Sequence, residues 1–248
     1  MSRAKPSLHV WLFLFGLAFA SFHILPTFFP AFFIKPLTYS DVLDFITPLA
    51  VIPIAFFLYF RICRINSQRF LHSRFQRISS RILLGLGILL YVDGHGLHLS
   101  ANSIARLIDK ANDPELFEAA YLFDEIISHA MLDGGIFLIS LSLIAASYKM
   151  FHKLNSLKEF GFLSLGACLC GFTFFVNSIE GQTVVLILPA TFIGLVLSLA
   201  FYLKELKSEM RNPTILFFLI AYFLCLILFI YWGVKFKSYP QFSELGWI

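Results

Sequence analysis

Residues 214–234 read TILFFLIAYFLCLILFIYWGV. No charge interrupts these 21 residues, and about 20 largely apolar residues are enough for a helix to cross the hydrocarbon core of a bilayer. This stretch therefore decides the class of the chain. Working outward from it, six further segments meet the same criterion, at roughly 8–33, 41–60, 82–102, 117–147, 160–179 and 183–203. The expectation is an all-α integral membrane protein, a bundle of seven transmembrane helices forming a single transmembrane helical domain over 1–248. Pro26 and Pro30 are expected to kink or end the first helix. Asp113-Pro114 supplies an N-cap residue followed by proline at the first helical position, so the fourth helix is expected to start at 114.

The composition agrees. Of 248 residues, 58% are hydrophobic, 31 are phenylalanine, and only 14% are charged, against about 25% in soluble domains. Mean hydropathy is +0.80. The four cysteines, Cys63, Cys168, Cys170 and Cys225, read as small apolar residues rather than a disulfide framework. There is no internal repeat, which argues against an inverted-repeat transporter.

Basic residues alternate between the two sides. Fourteen of the 19 Lys and Arg residues lie on the side of the N-terminus, six of them in residues 61–81. Basic loops stay cytoplasmic, so the N-terminus is expected inside and the C-terminus extracytoplasmic, with a bacterial inner membrane as the default location. The segment RICRINSQRFLHSRFQRISSR at 61–81 is a strong topology signal and could also attract anionic lipid. Arg3, Lys5 and Ala18-Phe19-Ala20 resemble a signal peptide with its cleavage site. The apolar run continues to Ile34, however, and an uncleaved first helix is the reading adopted. No nucleic-acid or protein partner is indicated.

Against this apolar background, residues 91–102, YVDGHGLHLSAN, carry Asp93, His95, His98 and Asn102. Ionisable residues inside a membrane are costly and usually face the bundle interior or a watery cavity. At 1.5 Å per residue, His95 lies about 21 Å and His98 about 25 Å along the third helix from Arg81. Counted from Lys149, Asp133, His129 and Glu125 lie about 24, 30 and 36 Å along the fourth. His23, Asn177 and Glu180 fall at similar depth, so the polar residues gather in the outer half. At about 100° per residue, His95, His98 and Asn102 share one face, while Glu125, His129 and Asp133 form an i, i+4, i+8 stripe. Asp124 lies outside that stripe. Asp93 points about 160° from His95 and is read as a rim or supporting group. Gly94, Gly96, Gly134 and Gly135 fit either close helix packing or local unwinding.

Three histidines with neighbouring carboxylates make a metal-ligand set. His95, His98 and His129 are the candidate metal ligands. Glu125 and Asp133 are the candidate catalytic groups, as general base or fourth ligand. His23, Asp93, Asn102, Asn177 and Glu180 are candidates for placing substrate or orienting ligands. Such a site activates a bound water for hydrolysis. Zinc suits the set best, and iron or manganese also accept it. The expected function is a metal-dependent hydrolase or lipid-modifying enzyme acting on a membrane lipid or small amphiphile. The alternatives are a non-enzymatic carrier or receptor with a polar extracytoplasmic cavity, or a b-type haem protein. Seven helices, an inner N-terminus and an intramembrane histidine cluster resemble, in architecture alone, the superfamily of alkaline ceramidases and progestin/adiponectin-type receptors. That group carries HxxxH on its last helix, whereas 214–234 holds no histidine, and no residue role is carried over.

Overall fold

The computed structural model describes residues 7–67, 74–150, 156–206 and 212–247. Seven of its helical spans are long and apolar enough to cross a membrane. The first is α1 (Leu8–Ile24), continued by a 3-10 turn at Leu25–Phe28. Pro26 sits at the start of that turn and ends the regular helix, as its missing N–H requires. A two-stranded hairpin, β1 (Phe32–Ile34) and β2 (Leu37–Thr38), leads into α2 (Tyr39–Ser67). Then come α3 (Arg74–Ala105), α4 (Pro114–Tyr121), a π-helical segment (Leu122–Ser128), α5 (His129–Ser147), α6 (Leu157–Glu180), α7 (Val184–Leu206) and α8 (Pro213–Phe236). α4, the π segment and α5 together form the fourth span.

The helices outrun the apolar runs that announced them. α2 continues to Ser67 and α3 begins at Arg74, so most of the basic segment 61–81 is helix rather than loop. Hydropathy marks where a helix meets lipid, not where its hydrogen bonds stop. Pro114 opens α4, as the Asp113-Pro114 pair predicts, although the Asp113 side chain makes no capping bond.

α3 packs along α5, α1 lies against α6 and α2, and α8 lies between α6 and α7. Glycine sets the α3–α5 contact at two points. A Cβ on Gly135 would stand 2.6 Å from the Tyr91 backbone nitrogen, and one on Gly94 2.8 Å from that of Leu132. α3 and α5 therefore meet backbone to backbone, the close approach small residues permit in membranes. Gly96 and Gly134 face open space instead, with nothing within 4 Å of an added Cβ. The pairs Gly94/Gly96 and Gly134/Gly135 thus each divide into one packing residue and one free one.

The two ends of the bundle differ. Around the N-terminal end, side-chain amides cover the last carbonyls of α5: Asn66 donates to Ala146 O at 2.7 Å, Gln76 to Ala145 O at 2.6 Å and Asn212 to Ser147 O at 2.6 Å. These satisfy acceptors that a helix terminus leaves unpaired. Between the ends the core is apolar, built from side chains such as Phe15, Phe19, Phe174, Phe218 and Tyr222. Among the described residues, His23, His95, His98, His129 and most of the buried carboxylates gather toward the C-terminal end, while His9 lies at the other.

Candidate functional site

α2 starts beside the site, and its first turn is fixed by a capping box. The Thr38 hydroxyl accepts from Asp41 N at 3.2 Å, while Asp41 Oδ2 accepts from Thr38 N at 2.7 Å and from the Thr38 hydroxyl at 2.8 Å. The same carboxylate takes both terminal nitrogens of Arg106, with Nη2 at 3.0 Å, and Asn102 Nδ2 at 3.1 Å. Asp41 is buried, so full pairing is what its burial demands. One carboxylate thereby joins the start of α2 to the end of α3.

One turn further along α2, Asp44 Oδ2 lies 3.2 Å from His95 Nδ1 on α3. With its proton on Nδ1, His95 donates to the carboxylate. Its other nitrogen, Nε2, is buried and has no hydrogen-bond partner among the described residues. His23 is held at both ring nitrogens, with Asn177 Nδ2 2.8 Å from Nδ1 and the Tyr91 hydroxyl 2.6 Å from Nε2. This chain ties α1, α3 and α6 together and brings the His23 and His95 rings to 5.4 Å.

The fourth span supplies the opposite wall. The His98 and His129 rings are 4.9 Å apart, edge to face. His129 Nε2 is 3.9 Å from Glu125 Oε2. His98 Nδ1 is 2.8 Å from Asp124 Oδ1, a close ion-pair contact that is poorly aligned as a hydrogen bond. The π-helical segment explains why Asp124 reaches the site. Its i→i+5 bonds admit about one extra residue per turn, which turns the residues before it by about 100° relative to α5. Asp124 swings inward, is buried, and faces His98. A regular α-helix would have left it off the polar stripe. Asp133, one turn past His129, is buried and accepts the Thr183 hydroxyl.

These groups line a cavity of about 210 Å³ that holds His23, His98, His129, Asp44, Glu125 and Asp133 among its walls, with Asn102, Asn177 and Glu180. Glu180 Oε2 accepts from the backbone of Phe242 at 2.9 Å and of Ser243 at 3.4 Å, and its carbonyl accepts from Gln241. The segment after α8 is thus fastened across the end of α6, at the edge of the cavity.

Of the candidate metal ligands, the structure brings His98 and His129 together and sets His95 apart, paired with Asp44 and beside His23. Among the described residues, no three His, Cys, Asp or Glu side chains are grouped to hold one metal ion. Asp93 stands apart from the cavity, on an exposed face of α3. It lies about 18 Å from Arg81 and about 20 Å from Arg106 along the helix, the middle of the span. Sequence reasoning did not single out Asp44 and passed over Asp124 as off the stripe. The T-x-x-D spacing of Thr38 and Asp41 carried a legible capping signal, whereas nothing in the residue pattern announces a π-helical segment.

Comparison with protein-family models, with curated proteins and with solved structures finds no match for this chain.

Proposed function

We propose that the chain is a membrane enzyme, a hydrolase or lipid-modifying enzyme, whose divalent metal centre lies in the cavity at the C-terminal end of the bundle. Zinc is the first choice, ahead of iron and manganese. The observation that carries the reading is the pairing of imidazoles with carboxylates in and around one cavity: His95 with Asp44, His98 with Asp124 and His129 with Glu125, of which Asp44, His98, His129 and Glu125 line the cavity itself. A carboxylate on one ring nitrogen orients a histidine so that its other nitrogen is free to bind a metal. His95 and His98 have that arrangement through Nδ1.

The donors fit a zinc ion in kind, and His98 and His129 are the adjacent pair from which to build the site. Glu125, half-buried beside them, reaches the same centre by side-chain rotation and serves as third ligand or general base. Asp44 and Asp124 orient histidines. His23, held at both nitrogens, and Asn177 shape the wall. Asn102 works through Asp41. Asp133, held by Thr183, is a second carboxylate for proton transfer. The bound metal would supply an activated water for attack on a polarised bond.

The imbalance of basic residues supports placing the N-terminus in the cytoplasm and the cavity on the extracytoplasmic side. At that depth the accessible polar bond is that of a lipid headgroup or another amphiphile. The arginines of 61–81 are proposed to meet anionic lipid on the other face.

A second reading has its own support. His23 is fully satisfied by protein groups, as in a cavity built to bind a ligand without chemistry, such as that of a carrier or receptor. Elemental analysis of the detergent-purified protein separates the two. About one zinc, iron or manganese per chain, lost in a His98→Ala/His129→Ala variant that still purifies as a folded monodisperse species, is the expected result. A metal-free wild type refutes the metalloenzyme and leaves the ligand cavity.

A further inference from the structure

Beside the polar cavity, on the membrane-facing side of the bundle, a groove of about 230 Å³ runs between α2 and α3. Phe45, Pro48, Leu49 and Ile52 form one wall, and Val92 and Gly96 the other. Phe45, Leu49 and Val92 are exposed to whatever surrounds the bundle. Gly96 leaves its wall open, because no atom stands where a side chain would go. Among the described residues, His95 is the one titratable side chain lining the groove. It is 1% exposed, its Nδ1 is engaged by Asp44, and its Nε2 is buried with no hydrogen-bond partner among the described residues. Asp44 in turn lines the polar cavity. The His95–Asp44 pair is therefore the partition between an apolar slot open to lipid and a polar chamber at the end of the bundle.

From this juxtaposition we propose that the groove between α2 and α3 seats one hydrocarbon chain of the substrate, delivering the adjoining polar group to His95 and the cavity behind it. The inference rests on the amphiphile reading of the site and names where such a molecule enters. The occupant is a membrane lipid, since lipid chains are what bathe an exposed groove within the spanning region. Moving a chain from the bilayer into an apolar slot exchanges one apolar surface for another, so the hydrophobic effect contributes little. What retains the molecule is its polar end. An unpaired buried ring nitrogen costs free energy, and a lipid hydroxyl positioned at the head of the groove, donating to His95 Nε2, offers it the missing partner.

The test uses the full-length protein in phosphatidylcholine nanodiscs containing a diacylglycerol, whose free hydroxyl can donate to His95, with a diazirine in its acyl chain. The sample is irradiated and the cross-linked peptides are mapped by mass spectrometry. Labelling of residues 45–52 and 92–96 is expected to saturate as the probe fraction rises, while labelling of the other exposed faces grows in proportion to it. Gly96→Trp fills the groove and is expected to reduce its labelling to the level of the remaining surface. Gly85→Trp, at an equally open glycine of α3 outside the groove, is expected to leave it unchanged. Proportional labelling everywhere, or saturable labelling that survives Gly96→Trp, overturns the proposal. Metal analysis of the same samples separates the two readings: saturable groove labelling in a metal-free protein supports the groove and refutes the metalloenzyme.

Discussion

Replacing neighbouring glycines by alanine on the α3–α5 contact tests how the site is held. A Cβ at Gly135 would lie 2.6 Å from Tyr91 N and 2.8 Å from Gly87 O, where ordinary contact begins at 3.4 Å. The shortfall is about 0.8 Å, and both obstacles are backbone atoms, so no side-chain rotation relieves it. Gly134, one residue earlier on the same helix, has nothing within 4 Å. Either substitution gains the same helix propensity, up to about 1 kcal/mol. The difference between the two variants therefore isolates the overlap, which costs about 1–3 kcal/mol when backbones must part. At about 2–4 °C per kcal/mol for a chain of this size, a 2 kcal/mol difference separates the midpoints by about 4–8 °C. The assay is thermal unfolding in one detergent, followed by tryptophan fluorescence. Gly134→Ala should match or exceed wild type and Gly135→Ala should fall below it. Gly96→Ala and Gly94→Ala should repeat the pattern on α3. Separation of the helices would also stretch the 2.8 Å contact between His98 and Asp124, one turn from Gly94. If Gly135→Ala melts with or above Gly134→Ala, the backbone-to-backbone contact is refuted.

Thr38→Ala removes half of the capping box at the start of α2 and should lower stability by about 1 kcal/mol, read as a lower unfolding midpoint in the same assay. Asp93→Leu replaces an exposed mid-span carboxylate, and on the biological insertion scale this favours membrane insertion of α3 by about 3–4 kcal/mol. A glycosylation-tagged insertion assay on the α3 segment reads the change, and equal insertion of the two sequences contradicts the lipid-facing placement. Tyr91→Phe takes the hydroxyl from His23 Nε2 and should cost about 1 kcal/mol, read as a lower unfolding midpoint in the same assay. Glu180→Ala removes the acceptor for Phe242 N and Ser243 N. It should speed protease cleavage after α8 and shift the emission of Trp247, which packs on Trp232 and Phe242.

The seven spans are legible because length and apolarity are properties of the residues themselves. Their ends are less so: α2 runs seven residues past the last apolar position of 41–60, to Ser67, because a helix continues into water once its hydrogen bonds are made. Burial of the polar residues in one region is also legible, from depth counted along each helix. Which of them meet is not. Asp44 went unremarked because its partner, His95, sits on another helix whose rotation the sequence leaves open. Asp124 looked misplaced because an angle of 100° per residue was carried through Leu122–Ser128, where the helix is wound more widely. Asp93 had the right angle in the sequence, nearly opposite His95, and the structure keeps it on the exposed side.

The π-helical segment makes residue number, rather than residue type, the guarded quantity of the fourth span. A point substitution within 122–128 alters one side chain and leaves the winding intact. Removing a single residue there would let the segment relax to an α-helix, like tightening a screw by rather more than a quarter turn. Everything before the lost residue, α4 and, for a deletion after 124, Asp124 included, would rotate away from His98 while α5 kept its seat against α3. Chains built on this plan can therefore change composition freely on the exposed side of the segment, at Leu122, Phe123 and Ile126, and still keep its length.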